Sequence, residues 1–476
     1  MDAEEFRRVG RVVVDQLADY FDSLPERPVF PSATPRELEE LFAEPVPRAG
    51  ESSEELLAEL ERKLYPHCTH TGNGGYLGLI TASPLPIGVL ADLVASALNQ
   101  NLGVYSIGPA AVHMERRTVR WLCELAGYRD GAGGHLTSGG MLANLTALKL
   151  ARDHASAGDA QRAGAQGRWA VYANEERHVS VDKAVDIVGL GRAALRALPT
   201  DERFRVRLDA LETALAEDRA AGVRPACIVA LAGSTNTGAV DDLRALRRIA
   251  DRERVWLHAD AAYGGGLLLS SRLRSTLDGL ETMDSITIDP HKWFYAPLDA
   301  GAILVRDEAA LESSFGLQPA YLTDEFDAEG TRYQYYRHGI EQSRRFRGLK
   351  VWMALKRHGA DEVARWVEAN VAQARHLHEL ATAHPRFVSA AEPPMSAVCL
   401  RYEPRRPLAP ETLARLHHLA AERVEASGRF WIGTTEMKGK TWFRVCTVNF
   451  RTTKEHMEQL LALCDSICGE LEEELD

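Results

Sequence analysis

Long apolar runs are missing from this chain: no stretch approaches the ~18 consecutive apolar residues that a membrane-crossing helix needs. The first residues, MDAEEFRRVG, open acidic and lead into an amphipathic pattern, so no secretory leader is expected either. Positive charge is short as well. Lysine and arginine number 56 against 68 aspartates and glutamates, a formal net charge of −12, which argues against a protein that grips nucleic acid through a general basic field. The seven cysteines, Cys68, Cys123, Cys227, Cys399, Cys446, Cys464 and Cys468, form no CxxC pair and no metal-finger spacing, and their odd total argues against a disulfide framework. Cys464 and Cys468 lie one helical turn apart and read as core thiols. No internal repeat and no Walker GxxxxGK[ST] loop is present. These absences point to a cytoplasmic enzyme with no metal site and no nucleic-acid or membrane partner.

What is present suits two or three globular domains, since 45% of 476 residues are hydrophobic and that supplies a substantial core. From Glu4 to Leu24, Phe6, Val9, Val13, Leu17, Tyr20 and Phe21 recur at helical spacing, and a proline-rich stretch ends that helix. Thr34-Pro35-Arg36-Glu37 reads as a capping box. Between Ser83 and Arg357, short apolar runs alternate with helical stretches: Trp169 to Tyr172, Ala226 to Ala232, Val255 to Asp260, Ser285 to Asp289 and Ala302 to Val305. Such runs predict strands buried on both faces of a mainly parallel α/β sheet, with ligands at the strand ends. The stretch from Ala155 to Arg168 reads as a solvated loop. After Lys356 come a helix through Trp366 and His376, strands over Ala397 to Tyr402 and Thr441 to Val448, and a last helix entered at Thr452. The expected divisions are an N-terminal helical segment (1–82), a large domain (83–357) and a small C-terminal α+β domain (358–476).

Chemistry concentrates at the ends of the apolar runs. In Ser285-Ile-Thr-Ile-Asp-Pro-His-Lys-Trp293 a lysine follows a buried strand, beside histidine and tryptophan. A desolvated lysine amine is suited to form an imine with an aldehyde, although a snorkelling strand-end lysine is an equally good reading of that segment alone. Val255-Trp-Leu-His-Ala-Asp-Ala-Ala-Tyr-Gly264 ends a strand in Asp260, followed by small residues over which a flat ring fits. A carboxylate there can pair with a pyridinium nitrogen, or simply cap a helix. Acid and lysine stand 32 residues apart, on successive strands. Gly133-Gly-His-Leu-Thr-Ser-Gly-Gly-Met-Leu-Ala-Asn144 leads into a helix and offers backbone N–H groups to an anion, a plain tight turn being the blander alternative. His178 follows another apolar run.

Together these segments resemble the group II decarboxylases that use pyridoxal 5′-phosphate (PLP), the family of aromatic L-amino acid, glutamate and cysteine sulfinate decarboxylases. The resemblance runs from about residue 55 to 460 and is most specific in DPHKW and HADAAYGG. It implies a PLP-dependent transferase-like α/β fold of the aspartate aminotransferase type (type I). It also implies a homodimer with active sites at the subunit interface. Lys292 matches the Schiff-base lysine, Asp260 the acid on the pyridine nitrogen, Ala262 the small residue under the ring and His178 the histidine stacked over it. Thr235 matches a threonine near the ring, Gly140 and Met141 the phosphate loop, with Asp289 and His291 completing the cofactor shell. Tyr321 matches the proton-donating tyrosine of a mobile loop, Arg444 an arginine for the substrate carboxylate, and Thr81 a substrate-pocket residue.

The branch signals conflict: Asn99 to Pro109 looks like the glutamate and cysteine sulfinate branch, Ser343 to Trp352 like the aromatic one. Met141 stands where relatives commonly carry serine or threonine, so only its backbone can contact a phosphate. Asp289 stands where the aromatic branch has asparagine, and should repel a phosphate unless turned away or paired, for instance with His291. The pocket segment His70 to Ile80 carries fewer rings and more glycine. The expected activity is decarboxylation of an L-α-amino acid, with a lean toward aromatic or bulky side chains. The alternatives are an aldehyde synthase, another PLP lyase or transaminase, and a catalytically silent binding protein of the same fold.

Overall fold

The computed structural model describes residues 1–317, 319 and 331–475. These residues form two compact units, one of Ile80–Arg375 with Ala391–Val398, the other of Met1–Leu79, His376–Ala390 and Cys399–Asp476. No helix among the described residues is long and apolar enough to cross a membrane.

The first unit is built on a seven-stranded sheet of β1 (Gly133–Thr137), β2 (Trp169–Asn174), β3 (Leu195–Leu198), β4 (Arg224–Leu231), β5 (Trp256–Asp260), β6 (Ser285–Ile288) and β7 (Gly301–Val305). Their order is β1-β7-β6-β5-β4-β2-β3. Strand β7 pairs antiparallel with both β1 and β6, and the other pairs are parallel. Every residue of β1, β2, β5, β6 and β7 is buried, as expected of strands covered on both faces. All five anticipated strands are present. The two not anticipated are β1, whose Gly-Gly-His start carries no strand signal, and β3, four residues long and mostly half-exposed.

One helix positions the site. Gly140–Ala155 carries Ala143, Ala147 and Ala151 at intervals of one turn, all fully buried against Val171, Val229 and Ile303 of the sheet. Alanine on that face lets the helix axis approach the sheet closely, which sets the helix start, Gly140, over the strand ends. The stretch from Ala155 to Arg168 is not wholly loop: Asp159–Ala163 forms a short helix, its Ala160 buried.

The second unit holds the helix Ala3–Ser23 and the helix Pro35–Leu41, whose start is a complete capping box of Thr34 and Glu37. A four-stranded sheet runs in the order β10-β11-β9-β8, made of β8 (Phe387–Ser389), β9 (Ala397–Tyr402), β10 (Gly433–Met437) and β11 (Lys440–Cys446). The last helix, Lys454–Leu475, buries Cys464 and Cys468.

Burial pushes His135 down to about 3 and both His258 and His417 down to about 4. All three are neutral in the fold, whereas an unfolded histidine titrates near ~6.5. The unfolded chain therefore binds more protons as the pH falls, and stability drops. The contribution is whole above pH ~6.5 and erodes below it. The thermal midpoint should decline between about pH 6.5 and pH 5, before ordinary carboxylates protonate. A flat profile over that window would contradict this account.

Candidate active site

Asp260 is the last residue of β5, Asp289 follows β6, His178 follows β2 by four residues, Thr235 follows β4, and Gly140 follows β1. All lie at carboxyl ends of strands that share one direction, where an open α/β sheet leaves room for a ligand. A cavity of about 270 Å³ opens there, lined by Gly140, Met141, His178, Thr235, Asp260, Ala262, Asp289, His291 and Lys292. Nine of the residues anticipated from sequence thus share one space. Thr81 and Arg444 do not line it. Thr81 is half-buried in the same unit. Arg444 lies on β11 of the other unit, where its Nη2 donates to the Gly78 carbonyl at 3.0 Å. Tyr321 lies outside the described residues.

Glycine is required at 140 by close approach. A Cβ there would stand 2.9 Å from Asp289 Oδ2 and 3.2 Å from Ala262 Cβ. Gly139, the N-cap, provides no side-chain capping bond, so the helix presents its positive end to the cavity. The Met141 side chain packs into the core, leaving its backbone for any ligand. Trp293 is fully buried, its Nε1 donating to Asn370 Oδ1 at 3.1 Å. That anchors the segment which aims Lys292.

Asp260 is held by residues that sequence reasoning missed. Asn144 Nδ2 donates to Asp260 Oδ2 and to Ser180 Oγ, both at 2.9 Å. Asn144 Oδ1 accepts from Thr287 Oγ1 at 2.7 Å and faces His258 Nε2 at 3.0 Å. Ser285 Oγ lies 2.9 Å from His258 Nδ1 and accepts from Trp256 Nε1 at 2.9 Å. Because a carboxylate only accepts, the donors order themselves: Trp256 to Ser285, Ser285 to His258, His258 to Asn144, Asn144 to Asp260. Such a chain polarises toward the carboxylate at its end. Ala262 N–H adds a bond to Asp260 Oδ1 at 3.1 Å. The signal for Asn144 was an asparagine one turn inside a helix, a position that residue type disfavours.

The second carboxylate is paired differently. Lys292 Nζ lies 3.0 Å from Asp289 Oδ2, and His291 Nε2 lies 3.5 Å from the same oxygen. Burial works against ionising Asp289, but the Lys292 charge and His291 hold its carboxyl below the usual range. His291 Nδ1 accepts the Ala300 N–H at 3.0 Å, which puts the ring proton on Nε2, toward Asp289. His178 Nδ1 accepts the Ser180 N–H at 3.2 Å, and burial keeps the His178 ring below its ordinary value, hence neutral near pH 7.

This lining fits PLP in each of its parts: an amine for the aldehyde, a buried acid for the ring nitrogen, small residues where a flat ring must pass, and a helix start for the phosphate. Fold and site together define an α/β enzyme of the PLP-dependent type. Residues 35–403 match the pyridoxal-dependent decarboxylase conserved domain, and the chain belongs to that family. It is 33% identical over 472 residues to an aromatic-L-amino-acid decarboxylase of Bacillus atrophaeus, covering 99% of this chain and 97% of that one. It is 30% identical to a phenylacetaldehyde synthase of Petunia hybrida, over 84% of this chain and 80% of the relative. Among solved structures it is similar to Oryza sativa TDC with PLP and tryptamine, at a TM-score of 0.92 and 27% identity, covering 99% of each chain. The protein is a PLP-dependent enzyme that decarboxylates an amino acid.

Asn144→Ala removes the donor to Asp260 and strands Thr287 and His258 in the interior. Each buried group left unsatisfied costs about 1–3 kcal/mol. The variant should therefore lower the thermal midpoint and weaken PLP binding, both read on purified protein; unchanged cofactor affinity would show that Asp260 needs no such support.

Proposed function

We propose that Lys292 is the residue that carries PLP, that Asp260 keeps a proton on the ring nitrogen, and that the substrate is an aromatic or similarly bulky L-amino acid. The observation that carries the site reading is the shared cavity, with Asp260 ending β5, Lys292 in the turn after the neighbouring β6, and the Gly140 helix start opposite Asp289. PLP, when bound, supplies an aldehyde that combines with amines and a ring that accepts electrons from the α-carbon bond being broken. The chain's own groups do the rest. Gly140 and Met141 would offer backbone N–H groups to the phosphate, Ala262 and His178 would hold the ring, and Thr235 would lie near it. His178, neutral and fixed by Ser180, is suited to stack and to orient without adding charge.

Arg444 for the substrate carboxylate, Thr81 for the pocket and Tyr321 as proton donor are proposed on family resemblance alone. The three-part division into 1–82, 83–357 and 358–476 is proposed on the pattern of apolar runs and helical stretches, and a cytoplasmic location on the scattered cysteines. A homodimer is supported by exposed apolar side chains on two helices, among them Phe6, Leu93 and Leu98. The aromatic lean is supported by relatives named aromatic-L-amino-acid decarboxylase in Bacillus atrophaeus and Mus musculus.

Carbon dioxide release from a panel of L-amino acids should be largest for aromatic substrates and should vanish in Lys292→Ala. Borohydride reduction followed by peptide mapping should find the cofactor on Lys292 and nowhere else. Cofactor recovered on another lysine would overturn the site.

The similarity to an aldehyde synthase gives the second reading its weight. Tyr321 is expected to deliver the proton that completes the amine, because its phenol carries one and phenylalanine does not. Tyr321→Phe should lose amine and gain oxygen-dependent aldehyde, compared in air and under nitrogen. Aldehyde from the wild type would make this chain an aldehyde synthase; unchanged amine from the variant would assign the proton elsewhere.

A further inference from the structure

Asp289 stands where an anion has to be received. The residue is 2% exposed, and its Oδ1 has no hydrogen-bond partner among the described residues. Its Oδ2 is shared by Lys292 and His291 and lies within 2.9 Å of where a Cβ of residue 140 would be. No side chain at 140 screens the carboxylate from the start of the helix.

We propose that Asp289 takes up a proton when the PLP phosphate is seated at the Gly140 helix start, so that a neutral carboxylic acid stands beside the anion. The inference rests on the reading of Gly140 and Met141 as the phosphate seat. Without cofactor, the Lys292 ammonium neutralises Asp289. Loading changes both sides of that balance. Lys292, once bonded to the cofactor, would turn any charge on its nitrogen toward the cofactor and no longer share an ammonium with Asp289, while a phosphate carrying roughly −1.5 to −2 charge near pH 7 arrives. Two anions in one buried space cannot both stay ionised without a counter-charge. The N–H groups and positive end of the Gly140 helix start would hold the phosphate ionised, whereas Asp289 Oδ1 has no donor among the described residues, so the proton goes to the carboxylate.

Among the described residues, the titratable groups facing Asp289 are Lys292, His291 and His178. His291 already carries its proton on Nε2 and uses Nδ1 to accept the Ala300 N–H. His178 likewise uses Nδ1 to accept from Ser180. A second proton on either ring displaces an existing bond. Among the described residues Asp289 Oδ1 is an acceptor that stands idle, and burial by itself pushes this carboxyl up once Lys292 no longer pairs with it. The proton comes from solvent, one O–H bond forms on Asp289, and the new hydroxyl can donate to the phosphate.

The test is an infrared difference spectrum, PLP-loaded protein minus apoprotein, in H2O and D2O. Wild type should gain a carboxylic-acid C=O stretch that shifts in D2O. Asp289→Asn should not gain it. Neither should wild type loaded with pyridoxal, which offers the same aldehyde without the phosphate, and this comparison needs no variant. In parallel, the wild-type dissociation constant for PLP should rise about tenfold per pH unit more steeply than that of Asp289→Asn. The proposal is overturned if a wild type carrying PLP on Lys292 shows no such band. It is also overturned if the band survives in Asp289→Asn or appears equally with pyridoxal. Borohydride mapping separates the two levels: cofactor on another lysine sinks the site reading and this inference with it.

Discussion

Burial of ionised groups at the strand ends is the constraint on which this structure turns. A carboxylate removed from water must be paired or hydrogen-bonded, or it neutralises. Asp260 and Asp289 sit at the ends of neighbouring strands, and the fold meets the requirement in two ways. Asp260 accepts from Asn144 and from the Ala262 backbone, neutral donors that leave its negative charge available to a ligand. Asp289 faces a cation, Lys292, which pairs its charge. One carboxylate is satisfied by neutral donors, the other by a cation.

The surroundings keep these groups in place. The helix Gly140–Ala155 carries both Gly140, whose missing Cβ leaves room beside Asp289, and Asn144, one turn apart, and its alanine face fixes its height over the sheet. The segment Ser343 to Trp352 contributes a second set of buried charges. Arg344 donates to Glu115 at 2.7 Å and to the Leu136 carbonyl at 2.6 Å. Arg347 donates to Asp299 at 2.8 Å, and Lys350 lies 2.9 Å from Asp92. Asp299 immediately precedes Ala300, whose N–H fixes the His291 ring. Basic residues that looked like a family signature thus brace the loop that orients an active-site histidine. Breaking such pairs one partner at a time is costly, because the remaining charge stays buried.

Much of the site was legible because its residues cluster in short segments at the ends of apolar runs. Asp260, Asp289, His291 and Lys292 all announce themselves by chemistry unsuited to packing, and the buried strands β2, β4, β5, β6 and β7 follow from apolar runs too short for helices. Less legible were β1 and β3, where glycine and half-exposed residues erase the strand pattern. The supporting shell was invisible for a different reason. Asn144, Ser180, His258 and Ser285 are spread over 142 residues, and no local pattern says that their side chains meet.

The sequence by itself determined the class of fold and the kind of cofactor and singled out nine residues that the fold gathers in one cavity, because periodicity and residue chemistry are local properties of the chain. Tertiary structure alone decided that Asn144 supports Asp260, that Lys292 rather than His291 is the nearer partner of Asp289, and that Asp289 Oδ1 has no partner among the described residues. Those outcomes depend on distances of about 3 Å between residues far apart in the chain. Such distances are set by how closely an alanine-faced helix can settle on a sheet.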